Sequence, residues 1–86
     1  MRLLLFGTSG CHLCEQAKEI IQDCLTDRFD KWIETIDIAE FEQWQAQYAI
    51  RIPVLYDTET RKELGWPFDQ TQVEEFILIA LQNSAP

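Results

Sequence analysis

The sequence is poor in basic residues. Lys and Arg number 7 against 15 Asp and Glu, so the chain of 86 residues carries a formal net charge of −8 at pH 7. A chain this acidic lacks the basic patch by which proteins bind nucleic acid, and anionic membrane surfaces would repel it. We therefore expect neither nucleic acid nor a membrane among its partners.

Long apolar runs are also missing. The opening run from Met1 to Phe6 stops at Gly7 and is shorter than the apolar stretch of about 7–15 residues in a signal peptide. No stretch approaches the roughly 20 apolar residues of a membrane span. Three cysteines are an odd number, whereas secreted scaffolds of this size usually carry an even set. The expected location is the cytoplasm, with reduced thiols.

Apolar residues are nevertheless plentiful enough for a core. They make up 47% of the chain, and aromatic residues make up 12%. This composition argues against disorder, and the length suits one domain and not two. We predict a single domain over residues 1–86 that acts as a monomer.

Hydrophobic periodicity orders the elements along the chain. Short β-branched or apolar runs closed by turn formers indicate strands, and apolar residues spaced by three and four indicate helices. The predicted elements are a strand Leu3–Phe6, a helix from Leu13 that ends near Thr26–Arg28, a strand Trp32–Ile38, a helix Ala39–Tyr48, strands Arg51–Asp57 and Arg61–Leu64, and a helix from Asp69 to Leu81. The order β-α-β-α-β-β-α predicts an α/β fold: a four-stranded mixed sheet flanked by helices, with the first β-α-β unit parallel and the last strand pair antiparallel.

The motif Cys11-His12-Leu13-Cys14 carries the strongest chemical signal. It follows a predicted strand and a glycine turn and opens a predicted helix. At a helix start the free N–H groups and the positive end of the dipole favour a thiolate over a thiol. The thiolate is the species that attacks a disulfide. Cys11, nearest the helix end, is the predicted nucleophile, and Cys14, one turn further in, is predicted to resolve the mixed disulfide.

Other uses of two cysteines at this spacing are weaker. A structural zinc site needs four ligands, and beyond this pair the chain offers one cysteine, one histidine and carboxylates. We therefore predict no metal within one chain, although a cluster bridging two subunits and an inert buried pair stay open. Cys24 lies among apolar residues on the same predicted helix, about 15 Å from Cys14. It is interpreted as a small buried hydrophobe, with a regulatory thiol as the alternative.

These features together resemble a known family. The strand, the glycine turn, the C-x-x-C helix start, Ile52-Pro53 opening a later strand and Gly65 before the last helix are similar to the thioredoxin fold. The chain more closely resembles the glutaredoxin-like family of small bacterial proteins, from about Arg2 to Leu81. The resemblance implies a cis peptide bond at Ile52-Pro53, which would leave the backbone of Ile52 free to bind an extended peptide or glutathione.

The resemblance also implies a set of substrate-binding residues. Gly65 and Asp69 partly match a glutathione-binding stretch before the last helix. Arg51 would contact an anionic ligand or be a solvent-exposed strand residue, and Trp66 would be either a binding aromatic or a loop anchor. The predicted set is His12, Leu13, Arg51, Ile52, Pro53, Gly65, Trp66 and Asp69.

The leading hypothesis is a glutaredoxin-like thiol–disulfide oxidoreductase. Its partners would be a disulfide-containing protein or a glutathione mixed disulfide, and a cellular reductant that resets Cys11 and Cys14. No cofactor is expected, with glutathione as a candidate co-substrate. Two alternatives stay open: a thioredoxin-fold binding or scaffold module without turnover, and a metal- or iron–sulfur-binding protein.

Overall fold

A four-stranded sheet organises the fold of this protein, whose computed structural model describes residues 2–49 and 51–83. The strands are β1 (Leu3–Gly7), β2 (Ile33–Asp37), β3 (Val54–Asp57) and β4 (Glu63–Gly65), and their order in the sheet is β2-β1-β3-β4. β1 pairs parallel with β2 and antiparallel with β3, and β3 pairs antiparallel with β4. The predicted mixed sheet is therefore confirmed.

Helices pack on both faces of this sheet. They are α1 (His12–Leu25), α2 (Phe29–Trp32), α3 (Glu42–Tyr48) and α4 (Gln70–Gln82). On β1, Leu3 and Leu5 share one core cluster with α1 and α4, whereas Phe6 belongs to a second cluster with α3. This alternation follows from the two-residue period of a strand. No helix among the described residues has the length and apolarity needed to cross a membrane.

The larger core cluster lies between the sheet, α1 and α4. Ala17, Ile21 and Leu25 are buried on α1, and Val73 and Ile77 are buried on α4. The spacing of three and four residues predicts these apolar faces, although Leu13 and Leu81, which the same spacing includes, are exposed. Asp69 accepts the backbone N–H of Gln72, and the side chain of Gln72 accepts the backbone N–H of Asp69, so the two residues form a capping box at the start of α4.

The second cluster is aromatic. The ring centroid of Phe6 lies 4.4 Å from that of Tyr48 and 4.9 Å from that of Trp44. Trp44 and Tyr48 are four residues apart, so both rings lie on one face of α3. This contact fixes α3 against β1 at the end of the strand that leads into the cysteine motif.

The prediction that the second strand begins at Trp32 is wrong. Trp32 ends the short helix α2, and β2 begins at Ile33. One helical turn buries Phe29 in the core and brings the guanidinium carbon of Arg28 to 5.5 Å from the Trp32 ring centroid. Tertiary packing therefore outweighs the β propensity of the tryptophan.

The predicted ends of three further elements are also corrected. The third strand begins at Val54 and not at Arg51, because the N–H groups of Arg51 and Ile52 both donate to the carbonyl of Tyr48. The last strand is Glu63–Gly65, because Arg61 has a φ of 62° and belongs to a turn.

The third element is the helix predicted to begin at Ala39. α3 begins at Glu42, since the Asp37 side chain accepts the N–H of Ala39 and caps a 3-10 turn over Ile38–Glu40.

Candidate active site

Cys11 lies at the junction between the β1 turn and α1. Gly10 precedes it with a φ of 78°, a left-handed conformation that favours glycine. Cys11 is the N-cap of α1, and its Sγ accepts the backbone N–H of Cys14 with a donor–acceptor distance of 3.3 Å. An N–H of the first helical turn and the positive end of the helix dipole are therefore both directed at this sulfur.

Cys14 lies against the end of β1. A Cβ built on Gly7 would be 3.0 Å from Sγ of Cys14 and 3.2 Å from its Cβ, so only a glycine leaves room for the thiol. Burial raises the pKa of Cys14 to about 11, and a hydrogen bond with the side chain of Cys11 adds to the effect. A backbone hydrogen bond from Thr8 acts in the opposite direction. Cys14 is therefore a protonated thiol at neutral pH.

The two residues between the cysteines face solvent. His12 and Leu13 begin α1, and the side chain of Leu13 is 44% exposed. Contact of either residue with a substrate stays a prediction.

Cys24 is separate from this pair. It is partly buried against the larger core cluster, and its Sγ lies 3.7 Å from the carbonyl oxygen of Gln70 at the start of α4. Burial raises the pKa of the Cys24 thiol, with smaller contributions in the same direction from Glu74 and Asp23. The sequence predicts a small buried hydrophobe here, and the structure leaves Cys24 only partly buried at the edge of the core.

The cis proline lies at the same end of β1 as Cys14. The peptide bond Ile52-Pro53 is cis, as the family resemblance implies. Phe6 pairs with Val54, so the register continues toward Gly7 and Pro53, and Gly65 pairs with Val54 from the other side. The sheet thus brings Pro53 and Gly65 to the end of the strands where α1 begins.

Trp66 closes this side of the site. Its backbone N–H donates to the carbonyl of Pro53 at 3.1 Å, and its ring packs edge-on against buried Phe68 with centroids 5.0 Å apart. Trp66 is only partly buried, so its ring anchors the loop and also leaves some of its surface exposed to solvent. A second cis bond at Trp66-Pro67 was not signalled by the sequence.

Two of the predicted binding residues have partners inside the protein. The guanidinium of Arg51 lies 2.9 Å from Oε1 of Glu63 and 5.0 Å from the ring centroid of Tyr48. A hydrogen bond from Tyr48 and a second from Arg51 lower the pKa of Glu63. The carboxylate of Asp69 is used in its capping box. A ligand role for either side chain stays a prediction.

Sequence reasoning missed Asp37. It pairs with Gly7 in the parallel register, and its negative charge adds to the raised pKa of Cys14. Oδ2 accepts the hydroxyl of Ser9 at 3.2 Å and Oδ1 accepts the N–H of Ala39 at 2.9 Å, so the carboxylate is held in place. A signal was available, because parallel strands in a β-α-β unit end at the same edge of the sheet.

Metal binding finds no further support in this geometry. Within residues 2–49 and 51–83, no three His, Cys, Asp or Glu side chains are arranged to hold a metal ion. The cysteines of the motif have free thiols.

A family model agrees with this site and fold. Residues 2–78 match the model described as Glutaredoxin-like domain (DUF836). The chain belongs to this glutaredoxin-like family. The match spans both cysteines of the motif, the cis proline and most of α4.

Solved structures place the glutaredoxin-like domain within the thioredoxin fold. An X-ray structure of target protein XcR50 from X. campestris is 28% identical, with a TM-score of 0.76, covering 98% of this chain and 99% of that one. Protein Ne2328 from Nitrosomonas europaea is 31% identical, with a TM-score of 0.62 and coverage of 87% and 88%. Thioredoxin 1 from Thermosipho africanus is 24% identical, with a TM-score of 0.69 and coverage of 95% and 96%, and it supports the fold alone. A search of curated proteins returned no match.

Proposed function

We propose that this glutaredoxin-like domain is a thiol–disulfide oxidoreductase that reduces protein or glutathione mixed disulfides in the cytoplasm. The observation that carries the proposal is the unequal environment of the two thiols. Cys11 caps the helix and accepts an N–H at its sulfur, whereas Cys14 is buried enough to hold its proton. Cys11 is therefore suited to attack the substrate disulfide, and Cys14 stays protonated until the second step.

The first step forms a mixed disulfide. The Cys11 thiolate attacks one sulfur of a substrate disulfide R–S–S–R′, the S–S bond breaks, and R′–S⁻ leaves and takes up a proton. The Cys11 sulfur is then neutral and bonded to R–S. The thiolate of the leaving group carries away the electron pair of the broken bond.

The second step releases the product. Cys14 loses its proton, its thiolate attacks Sγ of Cys11, and R–S⁻ leaves and is protonated. Two electrons have passed from the pair to the substrate, and Cys11 and Cys14 are joined as a disulfide. Of the two protons that the products take up, one comes from Cys14 and the other from solvent, because Cys11 reacted as a thiolate. A cellular thiol reductant, glutathione or a dithiol protein, returns two electrons and two protons and regenerates the pair, so the scheme needs no bound cofactor.

The test compares substrates and cysteine variants. We expect the purified domain to reduce a glutathione mixed disulfide or insulin disulfides, and Cys11→Ser to abolish both activities. Cys14→Ser should stop the reduction of insulin and accumulate a mixed disulfide that mass spectrometry detects. Cys24→Ser is the matched control and should retain activity, because its thiol lies at the α1–α4 contact.

The redox potential of the pair provides an independent measurement. A value between roughly −270 and −200 mV, the range of thioredoxin and the glutaredoxins, would fit a reductant. Full activity of Cys11→Ser would contradict the proposal. A pair that forms no disulfide in any thiol buffer would point instead to the binding-module alternative.

A further inference from the structure

An open cleft of about 470 Å³ lies beside Cys14, between α1 and the outer strand β2. β2 and β3 flank β1 on opposite sides, so this cleft and Pro53 lie on different sides of the cysteine motif. Leu5 and its register partner Thr35 line it, and Cys14 lies on the helix side. The cleft exists because α2 covers only the start of β2: Ile33 is buried and Thr35 is exposed.

The charge around the cleft has one dominant sign. Four carboxylates line it, and the one lysine among its lining residues is Lys18 on α1; the carboxylates belong to Glu15, Glu34, Asp37 and Glu40. Glu34 is paired with Arg2, which leaves the other three as the main source of negative charge. The net charge of −8 on the whole chain acts in the same direction. A ligand held here gains from positive charge and is penalised for negative charge.

The shape of the cleft favours an extended peptide. As an outer strand, β2 directs one edge of its backbone away from β1, and an extended segment can pair with such an edge as an added strand. Phe41, which is 39% exposed, lies along the same cleft and offers an apolar surface for the methylene stem of a lysine or arginine.

We propose that this cleft is the docking site for an extended lysine- or arginine-bearing segment of a substrate protein that carries the disulfide to be reduced. The inference rests on the proposed function, and it names the substrate class. A segment bound along β2 lies beside Cys14, so a disulfide next to it is presented to the dithiol. Basic disulfide substrates are then preferred over acidic ones, including the anionic disulfide of glutathione.

Single-turnover kinetics with two peptides provide the first test. The peptides have the same length and one disulfide each, flanked by lysines in one and by glutamates in the other. The reduced protein supplies both electrons, so no other reductant enters the rate. We expect the lysine peptide to react at least about tenfold faster at low salt and the difference to shrink at about 0.5 M salt, where charges are screened. Equal rates at low salt would overturn the proposal.

Charge variants locate the effect. Glu15→Gln and Glu40→Gln should each reduce the ratio of the two rate constants by about two- to fivefold at low salt, the range for exposed charge pairs. Using the ratio cancels any change in the reactivity of Cys11 itself. Glu75→Gln on α4 removes the same charge away from the cleft and should leave the ratio unchanged. An equal loss in Glu75→Gln would assign the preference to overall charge and overturn the docking site.

A binding experiment separates this inference from the proposed function. The redox-inactive variant Cys11→Ser/Cys14→Ser is titrated with a lysine peptide whose cysteines are replaced by serine, and amide chemical shifts are followed. We expect the largest shifts in the 34–41 segment. Such shifts, without any reduction of the disulfide peptides by the native protein, would support the docking site and overturn the proposed function. Reduction of both peptides with no shift in that segment, or with shifts confined to the surroundings of Trp66, would overturn the docking site alone.

Discussion

The two strands that flank β1, β2 and β3, differ in the surroundings they give the cysteine motif. On the β3 side, Pro53 is fully buried and its carbonyl accepts the N–H of Trp66, whose ring packs on Phe68. On the β2 side, the carboxylate of Asp37 accepts the exposed hydroxyl of Ser9 and faces an open cleft. One side is braced by packing and the other is open to solvent.

This difference separates stability from chemistry. A change on the braced side removes buried contacts, so it should act on the free energy of unfolding. A change on the open side alters charge near a thiol, so it should act on reactivity and substrate choice. Cys14 and Gly7 lie between the two sides and should respond to both.

The largest expected effect is on the reactivity of Cys14. Its pKa is raised from 9.0 to about 11, which leaves about a hundredfold less thiolate near pH 8. In Cys24→Ser, we expect initial alkylation of Cys14 by iodoacetamide at pH 8 to be about a hundredfold slower than in the same protein unfolded in urea. Peptide-resolved mass spectrometry measures the rate at each site.

The pH profile of that ratio distinguishes charge from access. If the thiol is held in its protonated form, the folded and unfolded rates should converge as the pH rises from 8 to 11. Simple steric protection would keep their ratio constant. Equal rates at pH 8 would contradict the buried-thiol interpretation and remove the contrast between Cys14 and Cys11.

A methyl group at Gly7 should disturb both sides at once. Gly7→Ala places a Cβ 3.0 Å from Sγ of Cys14, and such overpacking costs about 1–3 kcal/mol. Urea unfolding should show this loss. Gly65→Ala is the matched control, since a Cβ there meets nothing within 4 Å, and its effect should stay within about 0.5 kcal/mol. Equal effects of the two substitutions would contradict the close approach of Cys14 to β1.

The hydrogen bond between Tyr48 and Glu63 predicts a smaller, pH-dependent effect on the free energy of unfolding. Tyr48→Phe removes the hydroxyl that hydrogen-bonds Glu63 and should cost about 1 kcal/mol at pH 7. The pKa of Glu63 lies below its usual 4.5 in the folded state. Its contribution is therefore present above pH 4.5 and is lost as the pH falls through the lowered value.

Urea midpoints at pH 7 and pH 3 test this sign. The stability difference between the native protein and Tyr48→Phe should narrow at pH 3. Tyr56→Phe, which removes a hydroxyl outside the Glu63 interaction, should show no such narrowing. A difference that grows toward low pH would show that Glu63 does not stabilise the fold as a carboxylate.

The smallest expected effect is that of Asp37 on its neighbour. Asp37→Asn removes a negative charge but keeps an oxygen for the N–H of Ala39, so the 3-10 turn can form. The pKa of Cys14 should move down slightly, because Asp37 is the weakest of the influences on it. The alkylation profile described for Cys14 measures this shift. An upward shift would show that the carboxylate does not act through its charge.

Much of the fold was predictable because its signals are local. The order of the elements along the chain, the Asp69 cap and the parallel and antiparallel pairing of the strands follow from periodicity and short motifs. The error at Trp32 has a different origin, since α2 forms through the burial of Phe29 in a core made by distant residues. Local propensity cannot report such a contact.

The site was predictable only in part, for a related reason. The sequence spacing identifies Cys11 and Cys14, and their N-cap and first-turn positions agree with it. The contact of Arg51 with Glu63 joins residues twelve positions apart, and Asp37 meets Gly7 across the sheet. The first contact depends on strand register, which a single sequence does not reveal. The second is signalled only in part, because the β-α-β unit places the ends of β1 and β2 together without fixing which residues pair.

Because Cys11 is the N-cap of α1, a hydrogen bond in the first turn of this helix depends on the redox state of its sulfur. As a thiolate, Sγ is a charged acceptor for the N–H of Cys14; once bonded to another sulfur it is neutral and accepts more weakly. The amide proton of Cys14 should therefore exchange faster with solvent in the oxidised protein than in the reduced one. A single backbone proton would then report the redox state without any added label, because the proposed nucleophile Cys11 is also the N-cap of the helix.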